Sequence, residues 1–406
     1  MNTYFDTIWP TEHADSERHQ FILGNGLQIS MGTSLITTCN SGLDCPNFAL
    51  TRAPGELFAV GGSPNFRRST GWIARLNSET LAVAKHVPLQ DGVRTWAASC
   101  AMHCNGYVYA ATGHYLYKLD AELNLLKKIL LPDGFEGESS ILILSSGDLL
   151  VKGGKRLLNT RSTLLLVTPD LSILDKVTLP EIFLGRPSVH TFEGQEYAYC
   201  IGATTVWRII CNTTLRRDLS WSFPYMQHLV DSTPGNAPTF VENDLFFMSN
   251  TLQGATDPLS IFRVGVDNSN DYSILQPFPE SESGFSLSKM AADPVHRIIF
   301  PMDTANRRLC AVSIVNREFE PLWSQDYGVS NIFAGSVADE EIYINDFDGG
   351  GDNFVTLNIL SGDELARVEL PGFTPTYTGF SVGFANQVYT CCQNAIFRFR
   401  RMEDGV

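Results

Sequence analysis

The sequence predicts an all-β fold: an eight-bladed β-propeller of four-stranded antiparallel blades, its ring closed by an N-terminal strand in the last blade. Three observations predict it. A turn rich in Gly, Asn, Asp or Glu followed by three apolar strands recurs eight times, with the second strands opening near Leu57, Tyr107, Leu149, Tyr197, Leu245, Ile298, Ile342 and Val388. The intervals of 50, 42, 48, 48, 53, 44 and 46 residues match the period of propeller blades. No window carries apolar residues at i, i+3, i+4 and i+7 over three turns, so helix is nearly absent. The last repeat stops after its third strand, whereas surplus strand sequence precedes the first.

Taken in order, residues 1–40 form an N-terminal segment. Within it Phe21-Ile22-Leu23 and Leu27-Gln28-Ile29-Ser30-Met31 are expected to supply the missing outer strand of blade eight, beside residues 395–400, and so remove an exposed edge. The blades are expected at residues 46–89, 96–131, 139–180, 186–224, 236–277, 286–325, 333–371 and 378–401. The second is the clearest. An inner strand ends at Cys104-Asn105-Gly106, Tyr107 to Ala111 is β-branched and aromatic enough to be central, Thr112-Gly113-His114 turns it, and Asp120-Ala121-Glu122 leads into an outer strand. Turns of the same kind follow the inner strands elsewhere, as at Ser145-Ser146-Gly147-Asp148, Glu242-Asn243-Asp244 and Asp339-Glu340-Glu341. Gly and Asn tolerate positive φ there, and Asp or Ser can hydrogen-bond its own backbone.

Composition bounds the function. The 406 residues are read as one propeller domain, because no linker or charge run interrupts the period and each blade needs its neighbours to bury its faces. A formal net charge of -15 and a pI of about 4.9 make nucleic acid and anionic membrane poor partners. The first residues show neither a basic nor an apolar targeting region, and no uncharged run of 18 apolar residues occurs, which predicts a soluble, cytoplasmic protein. Nine cysteines without a regular framework suit reduced thiols in the core.

Leu357-Asn358-Ile359-Leu360-Ser361-Gly362-Asp363-Glu364-Leu365, with weaker echoes at Leu76-Asn77-Ser78-Glu79-Thr80, Leu119-Asp120-Ala121-Glu122-Leu123 and Thr168-Pro169-Asp170-Leu171, resembles the repeat of quinoprotein-dehydrogenase-like (PQQ-like repeat) propellers. The resemblance implies the eight-bladed architecture. It departs from the family where chemistry matters: the closing Trp of the docking motif is replaced by Ala366 or aliphatic residues, and there is no C-x-x-C-H. Quinoprotein alcohol dehydrogenases carry a disulfide between adjacent cysteines, but Cys391-Cys392 here ends a predicted second strand and reads as a pair of ordinary small strand residues. No organic cofactor is therefore expected.

Chemistry in a propeller sits at the channel mouth, and the segments leading into the innermost strands are rich in functional groups. Arg94, Trp96 and Arg186 are candidates to bind a small anionic ligand in the central channel, and His228, Asp231, Glu138 and Tyr377 to move protons. The alternative is that loops are polar because they are wet. Asp346, Asp348 and Asp352, on a Gly-rich loop, could offer Ca2+ several oxygen ligands, although the EF-hand pattern is not met and a solvated hairpin has the same composition. The eight histidines do not form a four-histidine iron set, and no nucleophile elbow, Walker loop or dinucleotide fingerprint occurs. Two functions follow from different classes: a cofactor-independent lyase, isomerase or hydrolase acting by acid/base chemistry, or a non-catalytic propeller scaffold for a protein partner.

Overall fold

A computed structural model of the chain describes residues 3–62, 71–89, 99–132, 140–154, 161–183, 185–251, 258–281, 283–286, 288–331 and 333–402; the side chains of residues 376–378 lie outside the description. Eight antiparallel blades follow one another, each with four strands from an innermost strand A to an outermost strand D; seven are meanders, and the eighth takes its outermost strand from the N-terminal part of the chain. The A strands are Pro46–Thr51, Ser99–Met102, Ser140–Ile143, Ser188–Phe192, Thr239–Val241, Ala291–Asp293, Ala334–Ser336 and Pro375–Gly383. The A and B strands read as continuous apolar runs because neighbouring blades cover both of their faces. Leu149–Gly154 of blade three, for example, feeds Val151 to the cluster with blade two and Leu150 to the cluster with blade four. The D strands alternate, as in Ile173–Thr178, because one side meets water.

The motifs that resemble quinoprotein repeats are the turns between strands C and D. In blades one to three each turn closes on a leucine with positive φ: Leu81 at 57°, Leu123 at 56° and Leu171 at 57°. Left-handed backbone is costly for a branched side chain. Burial offsets that cost, since these leucines are 0%, 1% and 3% exposed. In blade seven the same position is Gly362, φ 75°, and a Cβ there would lie 2.7 Å from the Trp323 ring, so only glycine fits.

An N-terminal strand does close the ring, but it is not the one expected. Leu35–Asn40 pairs antiparallel with Ala395–Arg401 as the outer strand of blade eight. Phe21–Ile22 instead pairs in parallel with Ala334–Ser336 on the axial edge of blade seven. The physical reason is exposure: an outer strand needs no apolar run, and Leu-Ile-Thr-Thr-Cys-Asn is half-buried along its length. The apolar Phe21 is buried and stacks on Phe300 at 5.5 Å, deep in the molecule. No helix among the described residues is long and apolar enough to cross a membrane.

Candidate functional site

Each A strand has one edge that faces the axis with no sheet partner of its own blade, and backbone groups left unpaired there are costly. Residues 3–27 supply the partners. On blade two, the Cys104 amide donates to the Thr3 carbonyl (2.9 Å), Phe5 to Met102 (2.9 Å) and Met102 to Pro10 (2.8 Å). Thr51 of blade one donates to Trp9 (3.0 Å), and Ile143 of blade three to the Tyr4 hydroxyl (3.0 Å). Val189 of blade four donates to Ser16 (2.8 Å), Thr239 Oγ1 of blade five to Arg18 (3.3 Å), Ala292 of blade six to His19 (3.1 Å) and Gly335 of blade seven to Gln20 (2.9 Å). Blade eight is reached through packing, in a cluster that joins Trp9, Ala14 and Leu27 to Phe380 and Val382. The segment thus enters the channel beside blade two, turns through positive φ at Ala14, Arg18 and Gln20, and leaves beside blade seven.

At the centre of this plug lies a charged cluster withdrawn from water. Arg18 is fully buried and spends its guanidinium on the Pro187 carbonyl (2.6 Å), Glu12 Oε1 (2.7 Å), Ser140 Oγ (2.7 Å) and His13 Nδ1. Because Arg18 only donates, His13 accepts at Nδ1 and carries its proton on Nε2, which has no partner. Burial, then the charges of Arg18 and Lys289, hold His13 well below the ordinary histidine pKa. Glu12 also pairs with Arg186, and burial takes both Arg18 and Arg186 down to about 10. The Lys289 ammonium donates to the Arg18 and Met290 carbonyls, and desolvation lowers its pKa strongly. The cavity beside it, between Asn236, Asn250, Ser288 and Lys289, has a volume of about 10 Å3, room for one water.

A second group locks the plug lower down. His19 binds Asp15 at 2.8 Å and Glu17 at 3.2 Å, and His190 binds Glu17 at 2.8 Å while stacking on Phe240 at 4.6 Å. Burial opposes both shifts, yet the two histidines take Glu17 down to about 2 and the two carboxylates take His19 up to about 10.

The residues singled out in the sequence are not gathered at one point among the described residues. Arg186 turns into the channel toward Glu12. His228 ends the short 3-10 turn Tyr225–His228 and packs on Phe223 and Tyr272, at the outer edges of blades four and five. Asp231 follows it, exposed, at φ 48°. Arg94, Trp96 and Glu138 lie outside the described residues, as does the Tyr377 side chain, although its backbone belongs to strand A of blade eight. The three aspartates of the Gly-rich loop face different partners. Asp346 accepts from Arg307 (2.9 Å), Arg367 (3.0 Å) and the Gly328 amide (2.8 Å). Asp348 is exposed and caps the Gly350 and Gly351 amides. Asp352 is buried against Asn345 (3.0 Å), and burial raises it to about 6. Among the described residues, no group of three or more His, Cys, Asp or Glu side chains is arranged so that it could hold a metal ion.

Sequence reading missed Glu12, His13, Arg18 and Lys289. One signal was available: the density of charge in Glu12-His13-Ala14-Asp15-Ser16-Glu17-Arg18-His19, next to Trp9. Cys391 and Cys392 are free and, as neighbours on a strand, belong to opposite faces: Cys391 packs toward blade one and Cys392 toward blade seven. Trp9 and Arg18 are both fully buried beside the inner strands.

No family model and no curated relative matches the sequence. Solved structures match the architecture. A europium-containing methanol dehydrogenase superimposes with a TM-score of 0.62 at 10% identity, over 95% of this chain and 90% of that one. Dos1 propeller gives 0.58 at 10% identity, over 91% and 95%. Sqt1 of Chaetomium thermophilum, bound to the N-terminus of the ribosomal protein L10, gives 0.57 at 10% identity, over 92% and 98%. At such identity the likeness concerns the fold alone, and one ring serves many functions.

Proposed function

We propose that this chain is a non-catalytic propeller scaffold that holds a protein partner on its outer surface. One observation carries the reading: the channel is occupied by the chain's own residues 3–27, with Trp9 and Arg18 at 0% exposure. A small-molecule site needs a concave, reachable space with convergent polar groups. Here the buried acid and the two arginines pair with one another, and His13 spends its Nδ1 on Arg18. Arg186, the described member of the expected anion-binding set, is committed to Glu12. The reading makes this ring comparable in use to the Sqt1 propeller, whose structure holds the N-terminus of L10.

The test pairs two measurements on the intact chain. Light scattering of the protein isolated gently from the cells that make it should give a stoichiometric protein complex. A thermal-shift screen against small phosphates and carboxylic acids should leave the unfolding midpoint unchanged. A small acid that raises the midpoint, with an increment lost in Arg186→Ala, or any turnover of such an acid, would overturn the scaffold reading in favour of an acid/base enzyme at the channel mouth.

A further inference from the structure

The rim of the ring is not uniform. The outer strand of blade two, Leu125–Leu130, reads Leu-Leu-Lys-Lys-Ile-Leu. Leu125, Leu126 and Leu130 are 55%, 50% and 62% exposed, and among the described residues the strand pairs only with Tyr115–Leu119, leaving its other edge open. Open edges are ordinarily blunted by short length, bulges or charge, because their free amides and carbonyls template another strand. This edge carries charge of a single sign. In a chain of net charge -15 with eight lysines, Lys85, Lys127, Lys128 and Lys176 all lie on the outermost strands of blades one to three. The other side of the ring differs: the outer strands Glu318–Gln325 and Glu364–Pro371 each carry two glutamates. Neighbouring Val83, Ile173 and Leu174, at 44%, 42% and 49% exposure, extend the apolar surface on both sides.

We propose that Leu125–Leu130 is the docking edge for an extended segment of a partner protein in which two adjacent acidic residues are flanked by apolar ones, so that one carboxylate lies on each face of the sheet to meet Lys127 and Lys128, added to blade two as a fifth strand. The inference rests on the scaffold reading and names its partner's chemistry. Backbone pairing supplies the affinity, the leucines take the apolar side chains, and Lys127 and Lys128 select for carboxylates. Both lysines are already held upright by the protein. Lys127 donates to the Asp170 carbonyl (2.5 Å), and Lys128 sits 3.6 Å over the Tyr115 ring, so little side-chain freedom is left to lose on binding.

The probes are fluorescent octapeptides of valine with a central Glu-Glu pair (the Glu-Val peptide) or a central Lys-Lys pair (the Lys-Val peptide), titrated by anisotropy into the intact chain with hydrogen exchange read at residues 125–130. The Glu-Val peptide should bind, protect those amides and weaken with salt; the Lys-Val peptide should not bind. Lys127→Glu combined with Lys128→Glu should weaken the Glu-Val peptide about tenfold or more, with an unfolding midpoint near that of the parent, since both positions are exposed. Leu126→Ser, which keeps both charges, should also weaken it. Equal binding of the two peptides, protection at another blade, or no binding at all overturns the assignment. A native protein partner retained at full strength by the double-lysine variant also overturns it, while leaving the scaffold reading intact.

Discussion

Replacing Arg18 by alanine should loosen the ring from its centre. The guanidinium is fully buried and serves four acceptors on three parts of the fold: Glu12 and His13 in the plug, Ser140 at the head of blade three and the Pro187 carbonyl before blade four. Its removal leaves Glu12 facing Arg186 alone. Breaking one side of a buried ion pair costs about 3–5 kcal/mol, because the surviving charge and its polar neighbours stay out of water. Urea unfolding of Arg18→Ala should register a loss of that size. Arg18→Lys, which keeps a positive charge beside Glu12, should lose clearly less. A loss below about 1 kcal/mol for Arg18→Ala, within the range of a surface pair, would refute the view that residues 3–27 are integral to the ring.

Three further outcomes follow from the same geometry. His19 is held charged by Asp15 and Glu17, so its contribution is complete below the unfolded value of about 6.5 and fades as pH rises toward about 10. Stability measured across that window should fall by no more than about 4–5 kcal/mol, the linkage value of the full shift, and His19→Gln should flatten the slope. Gly335→Ala places a Cβ 2.1 Å from the Phe21 ring, so it should cost about 1–3 kcal/mol, the usual penalty of overpacking, and expose the plug to protease; an unchanged midpoint would contradict the parallel pairing. Asp346 is committed to Arg307 and Arg367, so millimolar Ca2+ should leave the unfolding midpoint within about 1 °C, and an increment abolished by Asp348→Ala would reinstate the metal reading.

The blades were legible because their turns repeat. Positive-φ glycines and capping Asn, Asp and Ser fall at a fixed phase, and the strands between them are buried on both faces. The closing strand was misplaced because apolar content was taken as its mark, whereas Leu35–Asn40 sits at the perimeter and Phe21 on the axis. The plug was the least legible part. Its sequence has no period and is dense in charge, which reads as a solvated tail. Its burial depends on complementary groups far along the chain: Ser140, Pro187, Thr239 and Lys289 lie 122 to 271 residues beyond Arg18. Among the candidate residues, Arg186 was expected to hold a ligand anion; its partner Glu12 is 174 residues earlier in the sequence, and no local pattern links the two.

Hydrogen exchange of the intact chain, read at residues 3–27, tests the central claim most directly. If this segment fills the channel, the amides of Phe5, Trp9 and Leu27, which donate to Met102, Thr51 and the Glu341–Tyr343 pair, should exchange as slowly as those of the A strands, and only through opening of the ring. Exchange of these amides within seconds, while the A strands stay protected, would place the segment outside the channel and return the channel mouth to consideration as a site of chemistry.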